Sequence, residues 1–437
     1  MRGMASSRAR PRLLRATGLM FAARVGGAVL ALANVLVVSR ALGPSGRGSV
    51  VFLITVAILA SQVAAFSVSE SVSNIAGGRP DDRRAVAGTA VALSFLLGLP
   101  AAGLVGGLIA AVPGFGPREP AWLIAFAVGM IPALVFFDSL LRLVLADYGF
   151  TAVNLATLLP GLLNVVLNGV LYATGVLTVG YAFTVWSAGQ LAALALLAFV
   201  VQRRLAGFGR PCWKTGREML SFGLRAHGSR VMNWGNYRLD QWLVGALAGS
   251  RELGIYSVAV AWAEGLFLLP ESLAQVQRPD LVRADEHSAA AQVTRAFRFA
   301  ALATAVMVGG LLLLAPVLCA TVFGSGFGGS VQQLRVLALG AFGIAALKLF
   351  GNALIAQRRP LKEAAAAAAA FASTIGLDLA LIPRHGGMGA AVASTAAYSA
   401  GGVVVAWIAA RSLRFGAGSI VPRAGDLRTA LLLGRRA

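Results

Sequence analysis

From near its start to near its end, the chain alternates long apolar stretches with short polar ones rich in arginine. Segments long enough to cross ~30 Å of hydrocarbon, which takes about 20 residues, fall at 17–39, 49–75, 85–112, 121–145, 150–173, 180–201, 223–247, 254–277, 299–320, 331–356, 364–383 and 389–410. Backbone in lipid must satisfy its own hydrogen bonds, so only helices or a closed barrel span a membrane, and stretches this long and rich in Leu and Ala suit helices. No interval between the segments holds a sizeable soluble domain. The pattern predicts an all-α polytopic membrane protein of about twelve transmembrane helices.

Segment 7 fits least well. It carries Arg225, His227, Arg230, Asn233, Asn236, Arg238 and Asp240 among its apolar positions. Segment 1 raises a different question: Arg2, Arg8, Arg10, Arg12 and Arg15 precede an apolar run holding Ala31-Leu32-Ala33, the layout of a signal peptide with a cleavage site. The run continues to Val38 and similar segments follow it throughout, so an uncleaved first helix is expected.

Composition agrees with a membrane solvent. Of 437 residues 58% are apolar and 13% charged, with a mean hydropathy of +0.77, more hydrophobic surface than one water-soluble core hides. A net charge of +21 in a soluble protein would suggest nucleic acid. Here the arginines cluster between apolar segments, so the charge reads as topology and no nucleic-acid partner is expected.

The clusters set the orientation. On one side lie the five N-terminal arginines, then Arg79, Arg83, Arg84, Arg142, Arg203, Arg204, Arg210, Lys214, Arg217, Arg278, Arg283, Arg295, Arg298, Arg358, Arg359, Lys362 and the tail from Arg411 to Arg436. On the other lie only Arg40, Arg47, Arg118, Arg251 and Arg384. Both termini are therefore expected in the cytoplasm, the protein sitting multi-pass in the cell (inner) membrane. The same bias tests segment 7: without it, every later basic cluster would move outside. Segment 7 is thus expected to span, facing protein or water. Cys212 and Cys319, the only cysteines, fall toward opposite faces and form no disulfide framework.

Two internal echoes recur at a spacing of about 205 residues. The stretch from Arg40 to Gly48, RALGPSGRG, closes segment 1 as Gly245 to Gly254, GALAGSRELG, closes segment 7. The region 164–190, with Gly175 and Gly180 at its turn, answers 376–401, with Gly386 to Gly389. Together they suggest a duplicated six-helix unit, an N-terminal lobe over 1–222 and a C-terminal lobe over 223–437, and parallel repeats with an aqueous site at their interface are a transporter architecture.

These segments resemble the polysaccharide flippases of the multidrug/oligosaccharidyl-lipid/polysaccharide exporter superfamily. The carrying residues are Ser39 to Gly48, SRALGPSGRG; Leu239 to Gly245, LDQWLVG, with Gly254 to Val258, GIYSV; Val322 to Phe327, VFGSGF; and Leu377 to Tyr398, LDLALIPRHGGMGAAVASTAAY. The resemblance implies two pseudo-symmetric six-helix lobes in a V around a central cavity, alternating access, and a polyprenyl-diphosphate-linked oligosaccharide as cargo. Related lipid II flippases usually carry two further helices, for which this chain has no room after segment 12, and that favours the oligosaccharide-exporting branch. Position 378 is Asp where the family pattern suggests a neutral polar residue.

Charges inside the segments carry the candidate chemistry. Arg24, Arg225, Arg230, Arg238, Arg335 and Lys348 would together cost about 15 to 20 kcal/mol if all met lipid at mid-membrane, so most must face an interior. His227, Arg230, Trp234, Arg238 and Gln241 form one stripe of segment 7. One reading makes Arg24, Arg225, Arg230 and Arg238 a cationic cavity for a diphosphate, because guanidinium pairs phosphate oxygens bidentately and stays charged when partly dehydrated. Asn34, Asn233, Asn236, Trp234 and Tyr237 would then contact sugars. The other reading pairs the cations with the embedded acids Glu70, Asp138, Asp240, Glu264, Glu271 and Asp378 as internal salt bridges. Asp240 and Glu264 are the candidates for coupling to a proton or sodium gradient, with ion pairing to Arg238 or Arg225 as the alternative.

The sequence holds no Walker loop, no Cys/His metal spacing and no nucleophile motif, and no catalytic residue, metal or bound cofactor is expected. Gly103 and Gly107 give a GxxxG spacing that predicts close helix packing. A glycan polymerase or ligase would need an extended outer loop, and the outer loops are short. A drug/cation antiporter of the same superfamily should present acids and aromatics to its cargo, whereas segments 1 and 7 present Arg. The expected partners are the bilayer, the lipid-linked glycan and glycan-assembly enzymes.

Overall fold

The computed structural model describes residues 4–111, 119–205 and 207–422, with the backbone alone at 4–21, 23, 24, 226, 229 and 233. Among these residues the chain is helical from end to end: α1 (Met4–Ala64), α2 (Val68–Gly78), α3 (Arg83–Ala111), α4 (Ala121–Ala146), α5 (Phe150–Ala173), α6 (Val179–Arg204), α7 (Trp213–Leu247), α8 (Ser250–Gly265), α9 (Leu268–Arg283), α10 (Glu286–Pro316), α11 (Ser330–Leu339), α12 (Ala341–Ala356) and α13 (Pro360–Leu413). Nine helical stretches among the described residues are long and apolar enough to cross a membrane. Two of them, Val25–Ala64 and Pro360–Leu413, contain a non-helical glycine, Gly43 and Gly386. Dividing these at their glycines accounts for eleven of the predicted segments; α7 covers segment 7 as a continuous helix but is too polar to stand among the nine.

The boundaries differ where helix and membrane part company. Segment 7 was expected from 223, yet α7 begins at Trp213. Segment 9 was expected from 299, yet α10 begins at Glu286. In both cases the helix starts in a charged stretch, because its hydrogen bonds continue where hydropathy falls. Segment 2 is broken at 65–67, where Phe66 and Ser67 take left-handed backbone (φ 41° and 52°). Segment 8 is likewise broken, between α8 and α9.

The fold divides into two compact units, residues 1–234 and 235–437, the boundary falling inside α7 between Trp234 and Gly235. In the first unit α2, α3, α4 and α6 share a core of Val72, Val86, Ala90, Leu140, Leu143 and Leu197, which Met219 of α7 joins. In the second, Leu281, Val293, Leu349, Phe350 and Val405 form the corresponding core between α9, α10, α12 and α13. The α12 and α13 helices cross closely there: a Cβ on Gly343 would lie 2.2 Å from the Tyr398 carbonyl oxygen, and one on Gly402 would lie 2.8 Å from the Gly343 Cα. Small residues let membrane helices approach in this way. Gly103 and Gly107 do not: a Cβ at either meets nothing within 4 Å, so that GxxxG spacing makes no helix contact.

The first sequence echo has a backbone cause. Gly43 (φ 64°, ψ −173°) and Gly249 (φ 88°, ψ 173°) adopt nearly the same conformation, one essentially closed to other residues, and each ends the first long helix of its echo. In the second echo Gly175 (φ 72°) and Gly386 (φ 56°) both turn the chain with positive φ.

Candidate functional site

The first unit gathers charge around Arg230. The break at 65–67 brings Gln62 and Glu70 to the same side of the second span, and α7 docks against it. Its approach needs a glycine, since a Cβ on Gly223 would lie 2.3 Å from the Phe66 carbonyl oxygen. His227 stacks on Phe66 with centroids 5.1 Å apart, and Ser71 Oγ donates to the Met219 carbonyl at 2.6 Å. Arg230 follows one turn later, its side chain only 10% exposed. Its Nε and Nη2 donate to Gln62 Oε1 at 3.0 and 2.7 Å, its Nη1 to Glu70 Oε1 at 2.9 Å, and its Nη2 also to Asp138. Arg142 completes the group, 3.0 Å from Glu70 and 4.0 Å from Asp138. Two carboxylates face two guanidinium groups, so the cluster is formally neutral.

Arg225, Asn34 and Trp234 make no hydrogen bond to Arg230 among the described residues. Arg225 is exposed and, among the described residues, bonds within its own helix, Nε to the Ser221 carbonyl at 3.1 Å and Nη2 to Ser221 Oγ at 3.2 Å. Asn34 accepts from Asn168 Nδ2 at 2.8 Å, tying α1 to α5. Trp234 is half-buried. The side chains of Arg24 and Asn233 lie outside the described residues.

In the second unit the candidates converge. Arg238 makes a two-pronged pair with Glu264, Nη1 to Oε1 at 2.8 Å and Nη2 to Oε2 at 3.4 Å, both side chains about a third exposed. Asn236 accepts from Thr374 Oγ1 through its side chain (3.2 Å) and from the Tyr398 hydroxyl through its backbone carbonyl (2.8 Å). The Tyr237 ring lies 6.5 Å from that of Tyr398, and Lys348 Nζ sits 5.0 Å from the Tyr237 centroid and 3.6 Å from Glu271.

Beneath them is a pair of buried acids. Asp240 accepts from the Tyr256 hydroxyl at 2.5 Å, from Ser394 Oγ at 3.3 Å and from the Gln241 backbone N–H at 2.7 Å. Asp378, fully buried, finds no hydrogen-bond partner for either carboxylate oxygen among the described residues. Asp240 and Glu264 thus differ in kind, one enclosed and hydrogen-bonded, the other committed to Arg238. Asp378 is the partner that sequence reasoning left without a role. Its charge toward the outer end of segment 11 was the available signal, whereas Tyr256, Ser394 and Tyr398 are neutral.

Among the described residues no group of three or more His, Cys, Asp or Glu is placed to hold a metal, and Cys212 and Cys319 are both free thiols.

The fold is that of a multi-pass, all-helical membrane protein. The sequence profile of a family described as polysaccharide biosynthesis protein matches residues 142–332, from the end of α4 into α11. Among solved structures, the lipid II flippase MurJ in an inward closed conformation is similar with a TM-score of 0.75 at 12% identity, over 92% of this chain and 89% of that one. An inward-facing multidrug resistance MATE family transporter gives 0.70 at 15% identity, over 89% and 95%. A transporter of the same superfamily from Pyrococcus furiosus gives 0.61 at 14% identity, over 92% and 95%. No curated protein matches the sequence significantly. The chain has the fold of the multidrug/oligosaccharidyl-lipid/polysaccharide exporter superfamily that its motifs resemble.

Proposed function

We propose that the protein is a flippase that moves a polyprenyl-diphosphate-linked oligosaccharide across the cytoplasmic membrane by alternating access, with both termini in the cytoplasm. The observation that carries this reading is the polysaccharide biosynthesis match over 142–332, a stretch containing all of α7 with its Arg225, Arg230 and Arg238. Among these, Arg225 is the guanidinium suited to a diphosphate, being exposed and bonded, among the described residues, to Ser221 of its own helix. Arg238, in the second unit, is committed to Glu264. Arg230, held by Gln62, Glu70 and Asp138, braces the first unit instead. Asn236 and Tyr237 remain the sugar contacts, and glycan-assembly enzymes the suppliers of cargo.

Coupling to an ion gradient falls to Asp240 and Asp378. A carboxylate enclosed without a partner is tolerated only when neutralised, by a proton or a small cation. Asp378, Asp240 and Ser394 offer the oxygen donors a hard cation prefers.

Deletion tests the proposal: lipid-linked oligosaccharide should accumulate on the cytoplasmic face, and re-expression should clear it. Normal glycan export after deletion, with heightened sensitivity to cationic drugs, would instead support a drug/cation antiporter. The acids and aromatic rings around Tyr398 favour that second reading.

A further inference from the structure

Four cytoplasmic cations of the first unit are answered by acids, on the orientation proposed above. Arg79 pairs with Glu218 at 2.5 Å, Arg83 with Asp147 at 2.5 Å, Arg142 with Glu70 at 3.0 Å and Arg204 with Asp147 at 3.6 Å. Arg203 lies over the Phe199 ring, 5.4 Å from its centroid. Arg84, Arg210, Lys214 and Arg217 are different: all four are exposed, and none pairs with a carboxylate among the described residues.

The chain holds these four together. The linker into α7 is pinned on α3, where the Gly209 N–H donates to the Arg84 carbonyl at 2.8 Å and the Cys212 N–H to Thr89 Oγ1 at 3.0 Å. A Cβ on Gly88 would lie 1.8 Å from the Gly209 carbonyl oxygen, so the two backbones touch. The first turns of α7 then bury Gly216 and Met219 against the unit and turn Trp213, Lys214 and Arg217 outward. Trp213 is 81% exposed. A topology signal alone needs only the positive charges. It does not account for a large aromatic ring held out among cations that the protein leaves unneutralised.

We propose that Arg84, Arg210, Trp213, Lys214 and Arg217 form a docking surface for the anionic phospholipid headgroups of the cytoplasmic leaflet. Cations just outside the membrane attract anionic lipid, Arg and Lys bind the phosphate, and an indole ring prefers the interfacial depth where headgroup meets acyl chain. The surface anchors the start of α7, the helix that carries Arg225 and Arg238.

The test uses the full chain purified in detergent, with phosphatidylglycerol and phosphatidylcholine as probes and native mass spectrometry as the readout. The chain should retain phosphatidylglycerol over phosphatidylcholine. The combined Arg210→Gln, Lys214→Gln and Arg217→Gln variant should lose that preference by roughly fivefold per cation at low ionic strength. Removing cations can disturb insertion, so Trp213→Phe, which leaves every charge in place, supplies a second measurement. The fluorescence lost between wild type and Trp213→Phe should be quenched by brominated phosphatidylglycerol in nanodiscs and much less by the brominated phosphatidylcholine. Equal retention of both lipids, or unchanged retention by the triple variant, would overturn the proposal. Retention of a bare polyprenyl diphosphate in place of phosphatidylglycerol would overturn it in favour of cargo capture. Lipid retention is read without transport, so its failure is distinct from failure of the flippase reading.

Discussion

Replacing Arg230 by Gln separates a structural brace from a cargo contact. The substitution removes the guanidinium that bonds Gln62, Glu70 and Asp138 at once. An unpaired Asp at mid-membrane costs about 2.5 to 3.5 kcal/mol. Asp138 would not be wholly orphaned, because Arg142 stays 4.0 Å away, and Glu70 is already 36% exposed. A loss of about 2 kcal/mol is therefore expected, well above the ~0.6 kcal/mol of an average hydrogen bond between membrane helices. It should appear as a lowered melting midpoint of the detergent-purified protein. Adding Asp138→Asn to Arg230→Gln removes the carboxylate left in excess and should recover most of the lost stability, together with glycan export. If Arg230→Gln melts like wild type yet abolishes export, and adding Asp138→Asn does not restore export, the guanidinium acts on cargo and the brace assignment fails.

Three further outcomes follow from the same geometry. Arg225→Gln should change stability by no more than about 0.5 kcal/mol, as expected of an exposed side chain bonded within its own helix, while lowering export in a complementation assay; Arg225→Lys, which keeps the charge without the planar fork, should restore part of it. Asp378→Asn should raise the melting midpoint, by removing a buried carboxylate without a partner, and abolish export driven by an imposed proton or sodium gradient in proteoliposomes; gradient-driven export at the wild-type rate would remove Asp378 from the coupling site. Gly43→Ala and Gly249→Ala should each cost about 1 to 3 kcal/mol in thermal unfolding, and the cost would be pure backbone strain, because a Cβ at either position meets nothing within 4 Å.

The helices were legible because lipid enforces a length and a composition. Segment 7 is the instructive case: its hydropathy argued against a span, and only the sidedness of later arginines restored it, after which the structure shows α7 unbroken through Arg230 and Arg238. The break at 65–67 left no comparable trace, since Phe66 and Ser67 are ordinary residues forced into left-handed backbone by what packs around them. Partner identity was the harder matter. Six embedded cations and six embedded acids were visible, but whether Arg230 met phosphate or carboxylate depended on Gln62, Glu70 and Asp138 arriving from three other helices. Asp378 stood out by its charge alone. The partners of Asp240 came from α8 and α13, beyond anything spacing along one helix reveals.

The paired breaks at Gly43 and Gly249 bear on how the two halves could diverge. A bend written in backbone torsion needs one glycine and makes no demand on the neighbouring side chains. Each half is then at liberty to carry its own polar residues without losing its bend. The first unit holds the neutral cluster around Arg230 and the second the enclosed acids Asp240 and Asp378, so that shape and polar chemistry are set at different positions.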